Sequence, residues 1–248
     1  MKDRIRRTFA AVCLAAALVA TMSTAPAGAI VAGAIDGRAH PYVGALLAPT
    51  GRPWCSGVLV ATENPDNRRA GKVFLTSAHC LGKAADGKHV HVNFGATVAS
   101  GRTFSGTFHV MAGYVPTTLA NDVAIVVFSS PPAIPAVGLD DGDSFLGPGA
   151  TVTTVGFGTP SLGVRKSATE IVTGSSSSWL NLRYGSGNSC NADSGGPDLI
   201  MADPDDSAVP QVVALTDQGS CSVDQDYRVN TSTVRNFVND PDYVTDTD

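Results

Sequence analysis

A serine suited to nucleophilic chemistry occurs in the run Cys190–Pro197, which reads Cys-Asn-Ala-Asp-Ser-Gly-Gly-Pro. Ser194 is followed by Gly195 and Gly196, which give up side-chain burial and are tolerated where a backbone bends sharply or approaches another group closely. A serine on such a turn can present its hydroxyl and the neighbouring backbone N–H groups to one point in space. A nucleophile with an oxyanion site requires that arrangement.

Two upstream segments contain the groups that a serine nucleophile needs. His79 follows the apolar run Val73–Leu75, and Asp122 precedes the apolar run Val123–Phe128. A serine hydroxyl is a weak nucleophile until a base removes its proton, and the base needs a third group to fix its tautomer. The chain order His, Asp, Ser is one of three in which unrelated folds build this set.

The elements that position these residues are predicted to be short strands. Long amphipathic helical stretches are absent, and short apolar runs recur between turn residues, as is typical of an all-β sandwich or barrel. Thr231–Val238 alone has a helical pattern, with a capping hydroxyl and apolar residues on one face. The proline-rich segment Ser129–Pro135 is the best candidate for a linker, because its prolines exclude it from a central strand.

The first 29 residues have the pattern of a secretory signal peptide. Basic residues precede the apolar stretch Phe9–Ala20, and Ala27-Gly28-Ala29 is a small-residue cleavage site. A membrane anchor is the alternative, disfavoured because no uninterrupted apolar run reaches about 18 residues. We therefore expect a secreted, extracellular protein, from a bacterium, whose mature chain begins at Ile30.

Loss of this segment changes the charge and the cysteine count. It holds four basic residues and one acidic residue, so the formal charge moves from −5 to −8. An acidic protein is a poor partner for nucleic acid, whose phosphates demand a basic surface. An even number of cysteines remains in an oxidising compartment, which favours disulfides and leaves three pairings open. These four are Cys55, Cys80, Cys190 and Cys221.

No metal site or other cofactor is expected. Zinc is the rival interpretation of the cysteines, but they lack the C-x-x-C spacing of structural zinc sites. His89 and His91 would share one face of a strand, yet no third ligand is evident near them. We further expect a monomer that makes no contact with a membrane once the signal peptide has been removed.

With the start Ile30-Val31-Ala32-Gly33, these motifs resemble the chymotrypsin/trypsin family of serine endopeptidases, from Ile30 to the region Val234–Val238. The resemblance implies an all-β fold of two antiparallel six-stranded β-barrels of the chymotrypsin type with a short C-terminal helix. The expected divisions are a signal peptide over 1–29 and an N-terminal barrel over 30–130. A C-terminal barrel with the terminal helix and an acidic tail would follow over 131–248.

The resemblance also implies the roles of the catalytic residues. Ser194 would be the nucleophile, His79 the general base and later the acid, and Asp122 the group that orients the imidazole. The backbone N–H groups of Ala192 and Ser194 would form the oxyanion hole. The α-ammonium of Ile30 would pair with the buried carboxylate of Asp193.

The same resemblance selects the disulfides Cys55–Cys80, beside the histidine motif, and Cys190–Cys221, beside the serine motif. Each would fix the backbone next to a catalytic residue. By loop entropy each would add roughly 3 kcal/mol to stability.

Two departures from the family pattern stand out. Ala192 replaces a glycine, and a positive φ there would cost about 1–2 kcal/mol of strain. The expected specificity pocket has Asn188 at its floor, which does not support a strong preference for basic side chains. Its wall has Thr216-Asp217-Gln218 in place of Ser-Trp-Gly, and Asp217 would attract cations only in one orientation.

The sequence therefore predicts a secreted serine endopeptidase that hydrolyses protein or peptide substrates through a His-Asp-Ser triad and an acyl-enzyme intermediate. A catalytically weak or inactive homologue acting as a binding module is the alternative. An esterase using the same triad on other esters is a further one.

Overall fold

The computed structural model describes residues 30–63, 73–142, 144, 146–201, 210–219 and 221–244. The expected signal peptide over 1–29 lies outside the described residues. No helix among those described is long and apolar enough to cross a membrane.

The first barrel is a closed ring of six antiparallel strands in the order β2-β3-β4-β7-β6-β5. A two-residue strand, β1 (Ala34–Ile35), precedes it and pairs with the second barrel. The strands of the ring are β2 (Val43–Leu47), β3 (Pro53–Val60), β4 (Val73–Thr76), β5 (Lys88–Asn93), β6 (Thr103–Val110) and β7 (Ala124–Phe128).

The apolar runs of the sequence become the buried strands of this barrel. All four residues of β4 are buried, and aromatic rings pack edge to face inside the ring, as between Phe74 and Phe94 at 5.6 Å. Strands β4 and β7 are hydrogen-bonded neighbours. The residues that flank them, His79 and Asp122, are therefore brought to the same end of the barrel.

The second barrel is closed by the pairing of its first two strands, in the ring order β9-β10-β11-β14-β13-β12. A short strand, β8 (Gly138–Leu139), joins β13 in parallel outside this ring. The other strands are β9 (Thr151–Gly156), β10 (Lys166–Ser175), β11 (Trp179–Tyr184), β12 (Pro197–Met201), β13 (Pro210–Gly219) and β14 (Val223–Arg228). Two six-stranded antiparallel barrels confirm the predicted fold class.

One α-helix, α1 (Ser232–Asn239), follows the second barrel. Thr231 caps it, since its side chain accepts a hydrogen bond from the backbone N–H of Val234. The helix buries Val234, Phe237 and Val238 against the core. The predicted C-terminal helix is thus confirmed to within one residue at each end.

Candidate active site

Ser194 occupies a tight turn pressed against the first barrel. Gly195 has φ +78°, and a Cβ there would lie 2.2 Å from Thr76 Oγ1 and 2.6 Å from the carbonyl oxygen of Ser56, so only glycine fits. The backbone N–H of Ser56 donates to the carbonyl oxygen of Ser194 at 2.8 Å. The serine of the second half of the chain is therefore held on a strand of the first barrel.

His79 and Asp122 are joined by two hydrogen bonds. His79 lies on the short 3-10 helix Ala78–Cys80 that follows β4. Its backbone N–H donates to Asp122 Oδ1, and its ring Nδ1 lies 2.7 Å from Asp122 Oδ2. A carboxylate only accepts hydrogen bonds, so Nδ1 carries a proton, and in the neutral ring Nε2 is left to accept one.

Ser194 lines the cavity that adjoins this pair. Among the described residues no hydrogen bond joins Ser194 Oγ to the His79 ring, a contact that often tightens only once substrate is bound. The structure thus brings His79 and Asp122 into direct contact and places Ser194 at the adjoining cavity.

Asp217 is a second carboxylate against the imidazole. Its Oδ1 lies 3.2 Å from His79 Nδ1, and its side chain is fully buried. Burial favours the neutral ring, but the hydrogen bond to Asp122 and the close negative charges of Asp122 and Asp217 outweigh it and raise the pKa of His79 to about 9. The sequence placed Asp217 in the specificity pocket without indicating this contact.

A β-bulge explains the direction of the Asp217 side chain. Strand β13 pairs Leu215 with Tyr227 and then Gln218 with Gln225, so it carries one more residue than β14 between these pairs. Such an insertion turns a side chain away from the direction that strict alternation would give it.

The loop before Ser194 offers two unused backbone donors. The N–H groups of Asp193, Gly195 and Gly196 all donate to backbone carbonyls. Those of Ala192 and Ser194 donate to no residue that the structure describes. Ala192 has φ +73°, the strained conformation that was expected if its N–H were to point into the site.

Asp193 is fully buried and collects three backbone donors. Its carboxylate accepts from Gly158 at 2.7 Å, from Cys190 at 2.9 Å and from the N–H of Ile30. Burial, the largest effect, raises the pKa of Asp193 to about 7 despite these bonds. Ile30 is itself wholly buried, so the structure brings together the two residues of the expected ion pair.

A cavity of about 290 Å³ opens beside Ser194. Three expected pocket residues, Thr216, Asp217 and Gln218, line it, together with Ser189, Cys190, Asn191, Ser194 and Gly219. Asn188, expected at the floor, does not line the cavity. Its side chain is fully buried, and its Nδ2 donates to Asp224 Oδ2 at 2.8 Å. This hydrogen bond holds the amide behind the residues that line the cavity.

A group of buried carboxyl side chains lies on strands β10, β12 and β14 of the second barrel. We call these residues the buried carboxylate cluster: Glu170, Asp198, Asp224 and Asp226. Asp224 Oδ2 accepts from Ser189 Oγ at 2.7 Å, which links the cluster to the cavity wall. Burial raises the pKa of all four, and the negative charges of neighbouring carboxylates add to the rise for Glu170, Asp198 and Asp226; the pKa of Glu170 reaches about 10. Sequence inspection missed this cluster, whose members are spread over three strands.

Both expected disulfides are formed. Cys55 is joined to Cys80 and Cys190 to Cys221. The first ties β3 to the 3-10 helix that carries His79, and the second ties the Ser194 loop to the segment after β13.

One set of groups in this site has the composition of a metal site. His79, Asp122 and Asp217 each offer a ligand atom within 4.8 Å of the others. We do not assign them as ligands, because the Nδ1 proton already bridges the ring to Asp122. Cys55 and Cys80 also lie near His79, but the disulfide consumes their thiolates.

A double β-barrel with its candidate site between the barrels defines a protein of the chymotrypsin-type fold. The family model described as Trypsin matches residues 32–238, and the chain belongs to that family of serine proteases. A solved structure titled "Atomic resolution structure of HBP" has a similar fold, with a TM-score of 0.60. Its sequence is 17% identical, and the match covers 80% of this chain and 90% of that one. No curated protein matches.

Proposed function

We propose that this protein is a secreted serine endopeptidase. The observation that carries the proposal is the His79–Asp122 pair, hydrogen-bonded at 2.7 Å beside Ser194, with two unused N–H donors in the same loop as the serine. A general base, an orienting carboxylate and a nucleophile in one place are the requirements of acyl transfer.

The chemistry uses each of these groups once in every half-reaction. Ser194 Oγ attacks the peptide carbonyl carbon while His79 Nε2 takes the hydroxyl proton. The N–H groups of Ala192 and Ser194 stabilise the tetrahedral oxyanion, and a single donor of this kind is worth roughly 10²–10³ in turnover. The imidazolium then protonates the leaving amine, and water releases the acyl group by the reverse sequence.

We also propose that cleavage after Ala29 matures the protein. The new α-ammonium of Ile30 would place a full positive charge where an N–H already donates to Asp193. An opposite charge lowers the pKa of a carboxyl group, so Asp193 would ionise and the Ser194 loop would be fixed. This cut would itself free Ile30, and no basic residue directly precedes Ile30 for an activating protease to recognise, so we propose that no separate activation step follows. Amino-terminal sequencing of exported protein should begin at Ile30, and a start upstream of it would contradict this route.

A fluorophosphonate probe tests the enzymatic proposal. Labelling of the processed wild-type protein that vanishes in Ser194→Ala, together with casein hydrolysis, is the expected result. Correctly processed protein that takes no label would instead favour a binding module. Label with turnover of simple esters but not of casein would favour an esterase.

A further inference from the structure

The carboxylate of Asp217 lies against His79 Nδ1, a nitrogen that is already hydrogen-bonded to Asp122. His79 Nδ1 has a single proton, and that proton is directed to Asp122 Oδ2 at 2.7 Å. Asp217 Oδ1 lies 3.2 Å from the same nitrogen, yet neither of its carboxylate oxygens has a hydrogen-bond donor among the described residues. A buried carboxylate left in this state is costly unless a positive charge faces it.

The other groups facing Asp217 are acidic or neutral. Its backbone N–H donates to Asp226 Oδ1 at 3.2 Å. Burial and the negative charge of Asp122 raise the pKa of Asp217 to about 7, and the positive charge of a protonated His79 opposes them, so the ionised carboxylate and the imidazolium favour each other. The negative charge of Asp217 also contributes to the raised pKa values of the phenols of Tyr114 and Tyr227. Within the described part of the chain, His79 is the one cationic partner with which Asp217 forms an ion pair.

We propose that Asp217 is a second positioning residue for His79, holding the ring in its doubly protonated form so that Ser194 is activated only in alkaline solution. The effect is electrostatic, because two buried carboxylates stabilise the imidazolium more than one does. The raised pKa of His79, about 9, is in line with the geometry. A ring with that pKa is neutral in roughly one molecule in a hundred at pH 7, and only the neutral ring accepts a proton.

The consequence for catalysis rests on the proposed function, but the state of the ring does not. The test is therefore an NMR titration of the imidazole nitrogens in the full processed chain labelled with ¹⁵N-histidine. Ser194→Ala serves as the parent, which prevents self-digestion. The resonances of His79 are assigned by their loss in His79→Gln.

The parent should titrate well above the ordinary histidine range, and Ser194→Ala/Asp217→Asn should titrate at least one pH unit lower. Asp140→Asn in the same parent is the matched control, since Asp140 is a buried aspartate whose carboxylate accepts hydrogen bonds from Asn230, Gly142 and Ser144, away from His79. It should leave the His79 titration unchanged.

Two results would overturn the proposal. One is a parent in which His79 titrates near pH 6.5, and this needs no folded variant. The other is a folded Asp217→Asn protein whose His79 titrates as in the parent. In active protein, Asp217→Asn should shift the acid limb of kcat/KM to lower pH by the same amount. Absence of turnover would count against the proposed function alone, because the titration is read without it.

Discussion

Ser56 Oγ donates a hydrogen bond to the carbonyl oxygen of Ala192 at 3.0 Å, across the boundary between the barrels. Ser56 Oγ also accepts a hydrogen bond from the backbone N–H of Phe157 at 3.0 Å. One buried hydroxyl of the first barrel therefore helps to fix the Ala192–Asp193 peptide group, which lies between the two N–H donors of the proposed oxyanion hole, those of Ala192 and Ser194. Catalytic geometry in the second barrel thus depends on a side chain of the first.

Ser56→Ala should lower both stability and turnover. The substitution leaves the Phe157 N–H buried without a partner, a loss of about 1–3 kcal/mol. It also removes a restraint on the Ala192–Asp193 peptide group between the two proposed oxyanion donors, so kcat should fall more than KM rises. Thermal unfolding and steady-state kinetics measure the two effects. Ser105→Ala, at an exposed position on β6, is the control and should change neither.

Ala192→Gly should relieve the backbone strain at φ +73°. Glycine adopts this region without the Cβ clash, but the unfolded chain gains entropy, so the net gain should be at most about 1 kcal/mol. The free energy of unfolding in urea measures it. Ala168→Gly, the same change in a strand with ordinary φ, should instead destabilise the protein. A loss of stability in Ala192→Gly would show that the loop is not strained.

Gly158→Ala should disrupt the setting of Asp193. The added Cβ would lie 2.4 Å from the carbonyl oxygen of Asn191 and 2.7 Å from Asp193 Cγ. Because the loop must move, fluorophosphonate labelling should fall at least tenfold. Gly174→Ala is the matched control, with its nearest neighbour an ordinary 3.6 Å away. Equal labelling rates in both variants would contradict the idea that the buried surroundings of Asp193 hold the Ser194 loop in place.

Glu170→Gln should flatten the dependence of stability on pH. Burial, Asp198 and Asp224 raise the pKa of Glu170 to about 10, so the folded state favours the protonated group. Its contribution is complete below the ordinary glutamate pKa and is lost as pH rises, by at most about 1.4 kcal/mol per pH unit. Melting temperatures between about pH 5 and pH 9 should fall less steeply in the variant than in the wild type. Parallel curves would show that Glu170 is ionised in the folded protein.

The fold and much of the site could be predicted because they depend on local patterns. Apolar runs at strand spacing indicated an all-β sandwich or barrel, and the family resemblance carried by the motifs around His79, Asp122 and Ser194 implied the two barrels and which residues would meet. The prediction of the disulfides Cys55–Cys80 and Cys190–Cys221 is confirmed. Each of these features is determined by a short stretch of residues or by a family motif.

The contacts of Asp217 and Asn188 could not be predicted in the same way. Asp217 reaches His79 through a bulge, and one inserted residue in a ladder reverses the face that a side chain occupies. Asn188 is drawn behind the cavity wall by Asp224, a residue of β14 with no motif to mark it. Both outcomes depend on strand register, which is decided by the whole sheet.

The buried carboxylate cluster and His79 impose opposite pH requirements, one for stability and the other for the proposed activity. A rise in pH deprotonates the imidazole of His79, which the proposed mechanism requires. The same rise in pH begins to ionise the buried carboxyl groups of the cluster, which are neutral only while protonated. Turnover and lifetime would then trade against each other as solution conditions change. If the proposed activity is present, it would be confined to a narrow pH interval, limited on the acid side by protonation of His79 and on the alkaline side by ionisation of the buried carboxylate cluster.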